Sequence, residues 1–110
     1  MNTANTAIAR PSDEEIARAI KAKRVKGGWL IEGRQAKTLW HYLKVRADFE
    51  GVKLGLSPAY LQAWFNRGTR WFFGVLLDDA GKLLSDEQQP TFFQHYLKAV
   101  AGMNPVSFRA

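Results

Sequence analysis

The 110-residue chain predicts a mainly helical fold of three to four helices with one short β-hairpin around residues 71–84, and an α+β fold is the alternative. Three observations lead to this prediction. Two Ser residues stand where helices can begin, one long stripe of apolar residues recurs every three or four positions, and one aromatic-rich run precedes a turn signal. The length permits one domain, predicted over residues 12–102, between a leader at 1–11 and a tail at 103–110.

The first helix is predicted to begin at Ser12. Glu15 follows three residues later, which is the spacing of a capping box. Acidic residues at the start and basic residues towards the end suit the helix dipole, and Gly27-Gly28 is the predicted end. The short apolar segment that follows, residues 29–32, is either a strand or an extended connection.

The second helix is predicted from about Arg34 to Phe49. Its buried stripe consists of Ala36, Leu39, Trp40, Leu43 and Ala47, which recur at helical spacing. Glu50-Gly51 marks its end.

Ser57-Pro58 predicts the start of a third helix, with Ser as the cap and Pro in the first turn, and Gly68 as its end. The aromatic run 71–77 and the segment 82–84 then form the predicted hairpin, with Gly81 in the left-handed position. One long helix over residues 58–78 is the rival interpretation, because periodicity alone cannot separate short apolar runs. A last helix follows Pro90 and ends at Gly102; its predicted buried stripe is Phe93, Tyr96, Leu97 and Val100.

Positive charge is concentrated in the first half of the chain. The net charge is +6, and residues 18–46 hold nine Lys/Arg against one acid, Glu32, whereas residues 55–110 hold five against four. Such asymmetry favours a polyanionic partner. The residues predicted to grip a nucleic-acid backbone lie on the first two predicted helices: Lys21, Lys23, Arg24, Lys26, Arg34, Lys37, His41 and Lys44. A solvated face that only keeps the protein soluble is the alternative.

The segment 54–65 contains a Gly-Leu-Ser turn that leads into a helix with a Tyr-Leu pair and a later Phe. Over this dozen residues it resembles the recognition-helix region of AraC-type transcriptional regulators. The resemblance implies a helix-turn-helix in which Gln62, Asn66 and Arg67 would read base edges. An ordinary capped core helix is the alternative. Trp29, which lies beside two glycines, is the predicted exposed aromatic residue for stacking on bases.

The sequence offers no catalytic motif and no cofactor-binding signature, so the protein is predicted not to be an enzyme and to need no cofactor. The absence of cysteine excludes disulfides and thiolate metal sites, and His41 and His95 lack ligand-spaced partners, so no metal site is predicted. The absence of cysteine and of an apolar N-terminal segment favours a cytoplasmic location. No apolar run is long enough to span a bilayer, so no membrane partner is predicted.

These observations predict a small basic nucleic-acid-binding protein, a regulator or accessory factor of a nucleoprotein complex, of the kind that mobile elements encode. DNA is favoured over RNA, and the oligomeric state is left undetermined. The alternative function is a protein-binding module or inhibitor that docks on an acidic or nucleic-acid-binding surface of a larger machine. A large exposed apolar patch around residues 71–73 would favour that alternative.

Overall fold

The computed structural model describes residues 11–100, which form four α-helices and a four-stranded antiparallel sheet. The helices are α1 (Asp13–Ile20), α2 (Gly33–Glu50), α3 (Pro58–Phe65) and α4 (Thr91–Val100), with a 3₁₀ turn at Asp86–Gln88 before α4. The strands are β1 (Lys23–Val25), β2 (Gly28–Leu30), β3 (Arg70–Phe72) and β4 (Val75–Leu77). The predicted tail, the predicted helix end at Gly102 and the leader up to residue 10 lie outside the described residues.

Helix α1 begins as predicted and ends early. The capping box is confirmed: the Ser12 hydroxyl accepts from the Glu15 amide at 3.1 Å, and the Ser12 amide donates to the Glu15 carboxylate at 2.8 Å. Lys21 then takes the left-handed conformation, with φ 60°, and terminates the helix. The predicted continuation to Gly27 is therefore wrong, because residues 23–25 form an edge strand.

The two middle helices follow the sequence signals closely. Helix α2 lies within one residue of its predicted bounds and ends at Gly51, whose φ of 72° is left-handed. Ser57 caps α3 by accepting from the Tyr60 amide at 3.2 Å. Helix α3 stops at Phe65, three residues before the predicted end, and the rival single helix over 58–78 is wrong because β3 begins at Arg70.

The sheet consists of two hairpins joined edge to edge in the order β1-β2-β3-β4. Trp29 of β2 pairs with Trp71 of β3, although α2 and α3 separate these strands in the chain. The second hairpin turns at Phe73-Gly74, where both φ angles are positive (48° and 81°), as in a tight two-residue turn.

The predicted turn at residues 78–81 does form, and Gly81 has the predicted positive φ, but it connects β4 only to one isolated bridge between Leu77 and Leu83. The fold class is therefore α+β, and the prediction of a mainly helical fold with one short hairpin is wrong. Each strand has three residues, too few for the alternation that identifies a strand in a sequence.

The core lies between the helices and the sheet. Leu39 and Leu43 of α2 are fully buried, as are Trp71 of β3 and Phe93 of α4. Residues 23–37 carry four exposed cations and run from the first hairpin to the first turns of α2, while their apolar members Trp29, Ile31 and Ala36 belong to this core.

Candidate functional site

The predicted cations do not all lie on helices. Lys21 ends α1, Lys23 and Arg24 lie on β1, and Lys26 lies in the turn between β1 and β2, so the prediction that the first helix carries these four residues is wrong. The remaining predicted backbone-binding residues do lie along α2 and are exposed: Arg34, Lys37, His41 and Lys44.

A side chain of α2 joins the two basic segments. The Gln35 amide nitrogen donates to the carbonyls of Ile20 at 3.0 Å and Lys21 at 2.9 Å, which fixes the end of α1 against the first turn of α2. On the adjoining hairpin, Lys23 pairs with Leu30, and Leu30 is three residues before the start of α2. We call the resulting exposed set the basic surface: Lys21, Lys23, Lys26, Arg34 and Lys37.

Within residues 11–100, no carboxylate lies within ion-pair distance of any of the five cations of the basic surface. Lys44 differs, because its ammonium group lies 3.0 Å from Asp48 one turn along α2. Glu32 is the acid closest in sequence to these cations, and its backbone amide donates to the side-chain oxygen of Gln35 at 2.7 Å. The charge of the basic surface is thus left to solvent or to a partner.

Arg24 behaves differently from the exposed cations. Its guanidinium lies over the ring of Trp29, 4.7 Å from the centroid, and burial lowers the pKa of Arg24 from its ordinary value while Glu14 acts in the opposite direction. The Trp29 ring in turn lies 5.6 Å from that of Trp71. Trp29 is only 4% exposed, so the expectation that it offers a free stacking face is wrong: its neighbours on the sheet cover it.

A buried ion pair, which the sequence did not indicate, lies at the other end of this row of rings. The Arg46 guanidinium donates from Nη2 to the Asp13 carboxylate at 2.6 Å, and both side chains are 3% exposed. The second oxygen of Asp13 accepts the Gly74 amide at 2.5 Å. Trp71 and Tyr96 flank the guanidinium, at 6.0 and 5.2 Å. The available signal was the position of Arg46 within the apolar stripe of α2, three residues after a buried Leu.

The helix pair around the predicted recognition segment departs from helix-turn-helix geometry. Residues 51–57 connect α2 and α3, whereas that motif uses three or four residues. Helix α3 folds back along α2: the Trp40 ring nitrogen donates to the Leu56 carbonyl at 2.6 Å, and the Gln62 amide lies 3.0 Å from where a Cβ on Gly33 would stand.

The three predicted base-reading residues are exposed but do not converge. Gln62 lies beside the first turn of α2 and so borders the basic surface. Asn66 caps the end of α3, and Arg67 packs over the ring of Trp64 at 5.0 Å. Of the three, Gln62 alone is shown by these contacts to adjoin the predicted backbone-binding cations.

The aromatic residue most exposed on α3 is Tyr60, at 49%, and its ring meets that of Trp64 edge-on at 6.4 Å. The spacing of four residues between Tyr60 and Trp64 on α3 is the sequence signal for this contact. Tyr60 lines a cleft with Glu87 and Gln94, so its neighbourhood is acidic and polar.

The large exposed apolar patch that would favour a protein partner does not lie at residues 71–73. Trp71 and Phe72 are buried, and Phe73 is 36% exposed. Among the large apolar side chains that the structure describes, those with the highest exposed fraction lie on α2. They are Val45 and Phe49, which are one turn apart and are 56% and 57% exposed.

Within residues 11–100, the His, Asp and Glu side chains form no group of three arranged to hold a metal ion. None of the described helices has the length and apolar character needed to cross a membrane. Comparisons of the chain with protein-family models, with curated proteins and with solved structures give no match.

Proposed function

We propose that this protein binds nucleic acid through the phosphate backbone, as a non-enzymatic accessory or regulatory protein, with the basic surface as the contact. The observation that supports the proposal is that, among the residues the structure describes, no carboxylate pairs with the five cations of that surface. A face with both signs of charge would be the ordinary outcome for a surface that only maintains solubility.

The arrangement suits phosphate better than base edges. Lys and Arg that contact phosphates release condensed counterions, which supplies affinity without reading sequence. Lys23 and Lys26 stand on a hairpin at the sheet edge, and Arg34 and Lys37 stand on the adjoining helix, so a strand could contact both elements. Gln62 is the side chain placed to add base contact at the border.

The experiment separates the position of charge from its amount. One variant carries Lys23→Gln, Lys26→Gln and Lys37→Gln. The matched control carries the same three changes at exposed lysines elsewhere: Lys53, Lys82 and Lys98. Both have the same net charge, and each is titrated with labelled duplex DNA, single-stranded DNA and RNA at several salt concentrations.

For five phosphate contacts on duplex DNA, the slope of log affinity against log salt is about −4.5, since each contact contributes about −0.9. The first variant should lose about three contacts, so its slope should fall in magnitude from about −4.5 to about −1.8. The control should keep nearly the wild-type slope. Equal losses in both variants would reduce the effect to net charge, and no binding by the wild type at low salt would exclude the proposal. Stronger binding of RNA than DNA would overturn the expected preference for DNA.

A second candidate function, docking on an acidic protein surface, has one observation in its favour. Val45 and Phe49 form an exposed apolar pair on α2 beside the polar side chains of His41 and Lys44. An apolar centre with a charged rim is typical of protein interfaces. Phe49→Ser should then abolish binding of an acidic partner while leaving nucleic-acid affinity unchanged.

A further inference from the structure

A cleft of about 340 Å³ lies between α1 and the first hairpin, outside most of the basic surface. Three cations from three successive parts of the chain line it: Arg18 from the last turn of α1, Lys21 from its cap and Arg24 from β1. Glu14 is the acid in the lining, so the charges sum to +2. Trp29 and two alanines complete the walls.

Lys21 adopts a backbone conformation that a lysine rarely takes. Its φ of 60° and ψ of 41° lie in the left-handed region, which glycine enters without strain and other residues enter at a cost of roughly a kcal/mol or more. Glycine would end α1 equally well, so the lysine side chain is the feature that distinguishes this position. That side chain lies in the lining of the cleft.

Arg24 places a fixed charge in the lining. Its Nε and Nη2 atoms are buried, and its head group lies over the Trp29 ring, which in turn lies 5.6 Å from the ring of Trp71. Arg18 and Lys21 are exposed and can move to meet a ligand. One preorganised charge and two adaptable ones make a suitable site for a compact polyatomic anion, because less freedom is lost on binding.

We propose that this cleft binds a phosphate monoester group. Such a group carries a charge of about −1.5 to −2 at neutral pH, which matches the sum of the lining charges. The volume lies near the lower end of the range for small-ligand sites, about 300–1,000 Å³, which suits a phosphate with part of its sugar.

The phosphate could come from the end of a nucleic-acid strand, which rests on the proposed function, or from a free monoester such as a nucleotide. The chemistry recognised is the same in both. A strand whose 5′-phosphate enters the cleft would be able to continue over Lys23 of the basic surface, because the cleft and that surface share Lys21.

The test compares two oligonucleotides of one sequence, one with a 5′-phosphate and one with a 5′-hydroxyl, and adds a titration with inorganic phosphate followed by amide chemical shifts. Lys21→Gly removes the charge and suits the backbone conformation, so the fold should be retained. Arg18→Gln is the second variant, and Lys37→Gln, outside the cleft, is the matched control.

Wild type should bind the 5′-phosphorylated strand about tenfold more tightly, the size of one or two charge-assisted hydrogen bonds at an open site. Lys21→Gly and Arg18→Gln should reduce this preference, and their combination should remove it. Lys37→Gln should weaken binding of both strands equally. Equal affinity for the two strands in wild type, or a preference that survives the combined variant, would overturn the proposal for strand ends.

The inorganic phosphate titration keeps the two proposals apart. If neither strand binds, the proposed function fails, and the cleft is then judged by phosphate alone. Shifts confined to residues 14–29 that vanish in the combined variant would support a site for free monoesters. The absence of such shifts in wild type, together with equal affinity for the strands, would remove the site altogether.

Discussion

The ion pair between Asp13 and Arg46 gives the sharpest test of the core. Both side chains are 3% exposed, and the Asp13 carboxylate also accepts the Gly74 amide. Asp13→Ala would therefore leave a buried guanidinium without its counterion and a buried amide without its acceptor. Removing one partner of a buried pair costs about 3–5 kcal/mol. Since small domains have about 5–15 kcal/mol of unfolding free energy in all, this one change should bring the protein close to unfolding.

Urea denaturation followed by tryptophan fluorescence measures the effect. With a denaturant slope of about 1.5–2 kcal/mol per molar, the midpoint should fall by on the order of 2 M. The combined variant Asp13→Leu with Arg46→Met replaces the pair by apolar groups and should recover much of the loss, because neither charge then remains buried alone. A loss below about 1 kcal/mol for Asp13→Ala would refute the reasoning, since it would mean that water reaches the guanidinium.

Four further changes test local features. Ser12→Ala should cost about 1 kcal/mol by removing the cap of α1. The backbone amide of residue 12, which alanine keeps, is the main cause that lowers the pKa of Glu15 below its ordinary 4.5. The contribution of the Glu15 carboxylate to the cap is therefore full above that pH and is lost as the pH falls through the lowered pKa; a stability difference between wild type and Glu15→Gln that does not shrink on acidification would contradict this. Gly28→Ala should destabilise by more than 1 kcal/mol, because the new Cβ would stand 2.7 Å from the Trp71 carbonyl oxygen, and an unaltered thermal midpoint would contradict the strand spacing. Tyr96→Phe removes the 2.7 Å hydrogen bond that the Tyr96 hydroxyl donates to the Glu50 carboxylate at the end of α2. It should lower the free energy of unfolding by about 1 kcal/mol in calorimetry, and an unchanged value would contradict this.

The candidate site was only partly predictable. Residue types and charge asymmetry identified the cations, and eight predicted positions include all five members of the basic surface. The sequence could not show that Arg24 packs against Trp29, because that contact depends on the pairing of β1 with β2. The partner of Lys44 was available from the sequence, because Asp48 lies four residues further along the same predicted helix, but the prediction did not use it.

The sequence by itself determined the features that depend on neighbours a few residues away. The caps at Ser12 and Ser57, the stripe of α2 and its end at Gly51 are local, since hydrogen bonds and side-chain spacing within one helix specify them. Only the tertiary structure decided the sheet. Residues 23–25 carry cations of the kind that suit the end of a helix. They form a strand because they pair with β2, and β2 in turn pairs with β3, where Trp29 lies opposite Trp71, 42 residues away in the chain. The same pairing buries Trp29 and sets Arg24 in the lining of the cleft. The sequence therefore showed which residues carry the positive charge, whereas only the tertiary structure showed what surrounds Arg24.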